Sequence, residues 1–409
     1  MKLKIDYLLI VIFSILTFGF LGPFSIYRMI PSQLSLCIII FLIICRIYPL
    51  QKTSKEWWII FAYIVLSALI LNFKKGITYI ELYLLCILIL SLKRNVSFYQ
   101  QLLKVYLVIS TIFAVVTVIN KVDQNFIIRF FGFLLRNTQI ETIQTNMLLG
   151  GIPGLAGEVS FNAFCISIGF IIISSELILQ KITLKKSILL ILHYVAIIFT
   201  GKRSFMLILP LIFVVLFLFI NIKKKNKKSI IILLLGLILI PLAYFTFLDE
   251  IVRNILTKGG DKIQLSNREF FWNIAFSMIK EDPIFGKGIN SYDLYYNMYA
   301  INKKEFAGAH NSYLQIFAEL GLVGFMLFFI PLIKMFIKSI KNIGISLKYD
   351  LTIQKLLFSS IGIQMVILYY SLSGNPIYQP QEIITYFLFL NMGMAVLKVT
   401  GKKEEKMDE

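Results

Sequence analysis

Long apolar runs recur along the whole chain, and charged residues or glycine, proline and asparagine separate them. A helix that crosses a bilayer needs about 20 consecutive, mostly apolar residues. The pattern predicts twelve membrane spans, at residues 8–27, 34–50, 57–72, 77–92, 102–120, 161–180, 187–200, 204–222, 229–248, 313–333, 354–373 and 382–398. We therefore expect an all-α integral membrane protein, with residues 1–409 forming one polytopic membrane domain.

The composition supports this fold class and excludes an ordinary soluble domain. Of the 409 residues, 58% are hydrophobic and 15% are charged, and the mean hydropathy is +0.81. Soluble domains are near half apolar and about a quarter charged. The net charge of +19 would suggest nucleic-acid binding in a soluble protein, but in a membrane protein we expect basic loops to set the orientation.

The basic residues are distributed unevenly between the two predicted sides. The side of the N-terminus has 25 of the 41 Lys and Arg residues, and the other side has 16, of which eight lie in residues 249–312. Long loops do not count in the positive-inside rule, so the short loops differ more strongly. We expect both termini in the cytoplasm, attraction of the basic face to membrane lipids, and no nucleic-acid partner.

Two predicted extracytoplasmic segments are too long to be simple turns: a first loop at residues 121–160 and a large loop at residues 249–312. The large loop carries eight basic and eight acidic residues, which is typical of folded structure rather than of a basic tail. Residues 266–269 have the spacing of a capping box, and apolar residues then recur at helical spacing until Pro283. The pattern predicts an amphipathic helix on the outer membrane surface, or alternatively one packed on other loops.

His310 precedes a predicted helix start, because Ser312 and Gln315 repeat the capping spacing. A helix N-terminus favours an anion such as phosphate, and a nearby histidine can exchange a proton at neutral pH. The alternative is a loop histidine without a role. The other histidine, His193, lies within a predicted span, where a hydrogen bond to a neighbouring helix is a sufficient explanation.

Lys202 and Arg203 lie in a tight connection between two predicted spans, on the side that is normally poor in basic residues. The pair suggests an anionic ligand, which arginine can bind with two parallel hydrogen bonds. The alternative is that both side chains extend to lipid headgroups.

A glycine-rich stretch at residues 150–162 leads into another span and carries one carboxylate, Glu158. The order of residues is not that of a phosphate-binding Walker loop. The outer side also has no paired-carboxylate or D-x-D metal signature. We therefore expect neither a metal nor another cofactor.

These segments together resemble the O-antigen polymerase and O-antigen ligase family of bacterial surface-polysaccharide assembly. The resemblance rests on residues 268–275 (REFFWNIA), 282–288 (DPIFGKG), 309–315 (AHNSYLQ) and 319–324 (ELGLVG), in this order and spacing. Weaker matches are residues 201–204, where the family often has Ser-Arg, and residues 157–161, where polymerases often have Glu-Pro-Ser. Val159 replaces that proline, and the arginine often found before the motif is missing.

The resemblance implies a metal-independent glycosyltransferase with a GT-C-like fold, in the bacterial cytoplasmic (inner) membrane. Its active site would face the periplasm or cell exterior, with residues 249–312 as the catalytic loop. Donor and acceptor would be undecaprenyl-pyrophosphate-linked oligosaccharides, and a chain-length regulator is a candidate partner.

Under this resemblance, His310 would accept the proton of the attacking sugar hydroxyl. The pyrophosphate and substrate-binding residues would be Arg203, Arg268, Lys202, Lys287, Asn311 and Glu158.

Three functions remain open besides a polymerase that joins repeat units. A ligase would differ only in the acceptor, and a scaffold protein would leave Arg203, Arg268 and His310 unexplained. A lipid-linked oligosaccharide flippase would predict an internal repeat between the two halves and charges along a central path. The sequence has no visible repeat, which disfavours the flippase. The length of 409 residues, the twelve predicted spans and residues 158–160 favour the polymerase over the ligase.

Overall fold

The computed structural model describes residues 2–19, 30–71, 73–180, 182–223, 268–299 and 308–405. Helices make up nearly all of these ranges. In chain order they are α1 Lys2–Phe18, α2 Ile30–Ile44, α3 Lys55–Leu71, α4 Phe73–Leu90, α5 Val96–Val122, α6 Phe126–Phe131, α7 Asn137–Leu148, α8 Val159–Leu179, α9 Leu184–Thr200, α10 Arg203–Lys223, α11 Arg268–Glu281, α12 Tyr292–Tyr299, α13 Ser312–Lys341, α14 Ile343–Ser346, α15 Leu351–Tyr370 and α16 Pro380–Glu405.

Six helical segments within the described ranges are long and apolar enough to cross a membrane. They are Val96–Val122, Val159–Leu179, Arg203–Lys223, Ser312–Ser346, Leu351–Tyr370 and Pro380–Gly401. Each coincides with a span predicted from the sequence, so the class of all-helical membrane protein is confirmed. Shorter apolar helices occupy Ile5–Phe18, Ser32–Ile44 and Gly76–Leu90. The count of twelve spans stays a prediction, and the predicted span at 229–248 lies outside the described residues.

Helix α8 forms the centre of the bundle. Sixteen of its 21 residues are buried, and it packs against α5, α9, α10 and α15. Helix α16 lies along α15, α4 and α1. Small polar side chains join these helices: Thr17 bonds the hydroxyls of both Tyr106, at 2.6 Å, and Thr385, at 3.1 Å. Such bonds satisfy polar groups that neither lipid nor the core would otherwise solvate.

Helix α13 is bent at Gly321, where φ is +66°. The turn at residues 283–288 docks into this bend: Leu322 N–H donates to Pro283 O at 2.9 Å, and Gly288 N–H donates to Glu319 O at 2.7 Å. The backbones of the turn and of the bend come so close that a Cβ on Gly286 would lie 2.4 Å from Glu319 O. The glycines of the turn and of the bend are therefore required by close backbone approach as well as by positive φ.

The connections predicted to be extracytoplasmic meet at one end of the bundle. The start of α8, the α9–α10 turn, and the starts of α11, α13 and α16 all lie there, as the contacts below describe. At the other end, Arg94 pairs with Asp6 at 3.2 Å, and Lys186 and Lys355 pair with Glu176. Which of the two ends faces the cytoplasm stays a prediction.

The predicted amphipathic helix is present as α11, but its apolar face does not lie on a membrane surface. Ile274, Ala275 and Met278 are buried and pack with Tyr292 and Tyr296 of α12 and with residues of α13. The alternative, a helix packed on neighbouring parts of the protein, is the one the structure favours. The predicted capping residues 266 and 267 lie outside the described residues.

Candidate active site

The α9–α10 turn presents two cations. Gly201 ends α9 with a φ of +70°, which lets the chain reverse within two residues, and Arg203 begins α10. The Lys202 Nζ atom lies 5.5 Å from the centre of the Tyr370 ring, a cation–π distance. The Arg203 Nε atom is buried and has no hydrogen-bond partner among the described residues. An unpaired buried guanidinium N–H is costly, so a ligand that accepts from it would be favoured.

The start of α13 holds His310 in an uncommon backbone conformation, with φ at +52°. Asn311 caps the helix by accepting a hydrogen bond from Leu314 N–H at 3.1 Å, so the capping residue is Asn311 and not Ser312 as the spacing suggested. Ser312 N–H donates to Ser371 O at 2.8 Å. The turn is thus fixed to the loop after α15, and a non-glycine residue at positive φ is typical of functional positions.

Helix α11 begins with a third cation, which lies beside the turn at His310. Its first residue, Arg268, directs Nη2 to Ser373 O at 3.4 Å, in the same loop that holds Ser312. One turn later, the Phe271 ring meets the His310 imidazole edge-on, with 5.4 Å between ring centres. Phe271 therefore covers one side of the imidazole and excludes water from it.

Glu158 caps the central helix α8, where its carboxylate accepts hydrogen bonds from Ser160 N–H at 3.1 Å and Phe161 N–H at 3.0 Å. Glu158 and Arg268 both act electrostatically on the hydroxyl of Tyr370, which interacts with the Ser160 side chain. Tyr370 thus stands between the starts of α8 and α11 and beside Lys202.

The electrostatics of His310 connect these groups. Burial, followed by Lys202 and Arg268, lowers the pKa of His310 to about 4, whereas Glu158 acts in the opposite sense. Groups act on one another in this way only over short distances in a partly buried site. The structure therefore brings together four residues predicted from the sequence, and at neutral pH the imidazole is uncharged and able to accept a proton.

The starts of four helices, α8, α10, α11 and α13, meet at this site. Each helix start carries a partial positive charge from its unpaired N–H groups. Together with Lys202, Arg203 and Arg268, they make this end of the bundle electropositive. The site is suited to an anion with several oxygens, such as a phosphate or pyrophosphate.

Lys287 is placed differently from the other predicted cations. Its Nζ atom pairs with Glu281 Oε2 at 3.1 Å, and the charged groups that act on His310 are Lys202, Arg268 and Glu158. The turn around Lys287 serves to dock on α13. The structure therefore does not bring Lys287 together with the other predicted residues.

Glu319 is a buried carboxylate that the sequence analysis assigned no role. It accepts hydrogen bonds from Asn290 N–H at 2.7 Å, Tyr378 O–H at 2.8 Å and Gln315 Nε2 at 3.1 Å. Gln315 in turn accepts from Ala309 N–H at 3.0 Å, next to His310. This network joins the loop before α12, the loop before α16 and the start of α13, so it fixes the position of His310.

Sequence reasoning also missed Tyr370 and Ser373. Both lie at the outer end of the predicted span 354–373. Their position on the predicted catalytic side could have marked them as candidate site residues. Glu319 carries a stronger signal, since an ionisable residue within a span is expensive and usually functional.

His193 lies within the bundle and apart from this site. Its Nδ1 atom lies 2.8 Å from Leu189 O, one turn earlier on the same helix. A Cβ on Gly169 would lie 2.4 Å from the imidazole Nε2 atom, so the ring packs closely against α8. The hydrogen bond is within its own helix and not to a neighbouring helix as expected, and the residue is explained by packing.

The fold and the site define an integral membrane protein with an electropositive site at one end of its helical bundle. Residues 188–329 match the O-antigen ligase family. This segment is about a third of the chain and contains His310, Arg203 and Arg268. This match supports the O-antigen polymerase and ligase family, so the resemblance stated from the sequence is confirmed.

The chain is also similar to an uncharacterised protein of Haemophilus influenzae. The two are 32% identical over 95 residues, which are 22% of this chain and 24% of that protein. The chain thus aligns with about a quarter of that relative's length, and the similarity carries no statement about its activity.

Proposed function

We propose that the protein is a polysaccharide polymerase that joins undecaprenyl-pyrophosphate-linked oligosaccharide repeat units at the outer face of the bacterial cytoplasmic membrane. The observation that carries the proposal is the largely buried His310 imidazole, on which Lys202 and Arg268 act electrostatically. A general base and a cationic pocket for a leaving group are the two parts that a metal-independent glycosyl transfer requires.

The cations act on the leaving group. As the bond between the anomeric carbon and the pyrophosphate oxygen breaks, the bonding electrons go to undecaprenyl pyrophosphate. Arg203 and Arg268 would bind its oxygens, with the unpaired Nε atom of Arg203 as one donor and Lys202 as an additional charge. Preorganised donors of this kind stabilise the charge that develops in the transition state.

His310 acts on the acceptor. A hydroxyl of the acceptor sugar attacks the anomeric carbon and gives its proton to the imidazole, so that the new glycosidic bond forms as the pyrophosphate leaves. Glu158 lies close enough to His310 to stabilise the imidazolium that results. Asn311 uses its side-chain oxygen to cap α13, which leaves its amide N–H groups for the acceptor.

A ligase that transfers the glycan to another acceptor is the second candidate, because the matching family is described as O-antigen ligase. Both reactions use the same donor, base and leaving group, and only the acceptor differs. A flippase is a weaker candidate, since Lys202 and Arg268 lie together beside His310 at one end of the bundle and the sequence has no visible repeat between its halves.

The test is complementation of a strain that lacks this gene with the wild type or with His310→Asn. Asparagine tolerates positive φ better than alanine does, so this variant removes the base without straining the turn. We expect lipid-linked single repeat units to accumulate on the outer leaflet and long polymer to be lost. Polymer of normal length would overturn the assignment of His310.

The same experiment separates the other candidates. Polymer that is made but not attached to its final acceptor would indicate a ligase. Repeat units that stay on the inner leaflet would indicate a flippase. Lys338→Gln is a matched control, since Lys338 lies at the opposite end of the bundle and makes no ion pair among the described residues.

A further inference from the structure

The end of the bundle opposite the candidate active site has a cleft between the first turns of α5, the last turns of α8 and the start of α15. Its walls combine lysines with leucines: Lys104 and Leu103 on α5, Lys355 and Leu351 on α15, and Glu176 on α8. Leu351 is 48% exposed. Cationic groups beside exposed apolar side chains fit an amphiphile better than a wholly polar solute.

The cleft has more positive than negative charge. The Glu176 carboxylate is shared by two lysines, since one oxygen pairs with Lys355 and the other with Lys186 at 3.1 Å. Lys104 makes no ion pair within the part of the chain that the structure describes. Asp350, which precedes Leu351 in the chain, uses an oxygen to cap α15 by accepting from Ile353 N–H at 2.9 Å.

We propose that this cleft binds the phosphate group of an anionic phospholipid from the cytoplasmic leaflet, with Lys104 and the lysines around Glu176 as its ligands. The lipid would place its phosphodiester beside Lys104 and an acyl chain along the exposed Leu351. The site is separate from the proposed transfer reaction and does not depend on it. Its position on the predicted lysine-rich face is where anionic lipids are attracted.

The experiment is native mass spectrometry of the purified full chain in mild detergent, titrated with phosphatidylglycerol, phosphatidylcholine or inorganic phosphate. The variants are Lys104→Gln, the double variant Lys104→Gln with Lys186→Gln, and Lys338→Gln as an exposed lysine at the same end but outside the cleft. Lys104 is exposed, so its variant should fold, and size-exclusion chromatography checks this.

We expect the wild type to retain phosphatidylglycerol in preference to phosphatidylcholine. Each lysine removed from the cleft should weaken the apparent affinity about fivefold, while Lys338→Gln should bind as the wild type does. Equal loss in Lys104→Gln and Lys338→Gln would overturn the site. Saturation by inorganic phosphate with the same dependence on Lys104 would overturn the lipid as the ligand.

Discussion

The protonation of His310 gives the most specific prediction. Burial, Lys202 and Arg268 together lower its pKa to about 4 from the ordinary 6.5, and Glu158 acts in the opposite sense. At about 1.4 kcal/mol for each pH unit, the structure disfavours the imidazolium by about 3 kcal/mol. At pH 5.5 the imidazole should then be about 97% uncharged, whereas an unperturbed histidine would be mostly charged.

Two neighbouring substitutions should move this pKa in opposite directions. Lys202→Gln removes a cation and should raise the pKa of His310, and Glu158→Gln removes an anion and should lower it. Burial is the largest cause, so Lys202→Gln should raise the value by about one pH unit or less and leave it below 6.5. The protein in its active form should accordingly keep an uncharged base down to about pH 5.

The chain has only two histidines, so the titration can be read from imidazole resonances of histidine-labelled protein in detergent micelles. The spectrum of His310→Asn identifies the signal of His310 by its loss. A wild-type pKa near 6.5, or a shift in the same direction for Lys202→Gln and Glu158→Gln, would refute the electrostatic description of the site.

Three further predictions concern the structure around the site. Gly286→Ala should lower stability in detergent by about 2–4 kcal/mol through overpacking and positive φ, measured as a fall in the melting temperature. Gly150→Ala is the control, since Gly150 has a similar φ of +81° but no atom lies within 4 Å of its Cβ position. Tyr370→Leu should raise the donor KM several-fold through loss of a cation–π contact of about 0.5–2 kcal/mol. Tyr370→Phe keeps the ring and should raise the KM less. Equal KM values for the two variants would exclude the contact with Lys202. Glu319→Gln should destabilise the protein by about 1–3 kcal/mol, because the new amide N–H would face backbone N–H donors. Glu281→Gln at an exposed ion pair should cost less than about 1 kcal/mol. Similar melting temperatures for the two variants would show that the Glu319 network does not hold the site.

The six spans found in the described residues could be predicted from the sequence, because each one is a local run of apolar residues. An apolar run is a property of neighbouring residues, and the positive-inside rule assigns each connection to a side. These two rules were enough to group Glu158, Lys202, Arg268 and His310 on one side. Their approach to one another in the structure follows from the fact that all of them stand at helix starts on that side.

What the sequence could not supply are contacts between segments that are distant in the chain. Arg268 meets the loop after α15, more than 100 residues later, and no local pattern encodes this. The role of the glycines at residues 286 and 321 is likewise visible only once the turn docks on α13. Lys287 has the charge expected of a ligand, but Glu281 at the end of α11 provides it with a partner. The surroundings of α11 were misread because periodicity identifies an apolar face and not what covers it.

The most direct test of the central claim is turnover by the purified chain in liposomes, with an undecaprenyl-pyrophosphate-linked oligosaccharide as donor and acceptor. The assay follows glycan length and the release of undecaprenyl pyrophosphate. We predict that His310→Asn lowers the rate by about 10²–10⁴ while the donor still binds, and that Arg203→Met weakens donor binding. Transfer by His310→Asn at the wild-type rate would contradict the proposed mechanism.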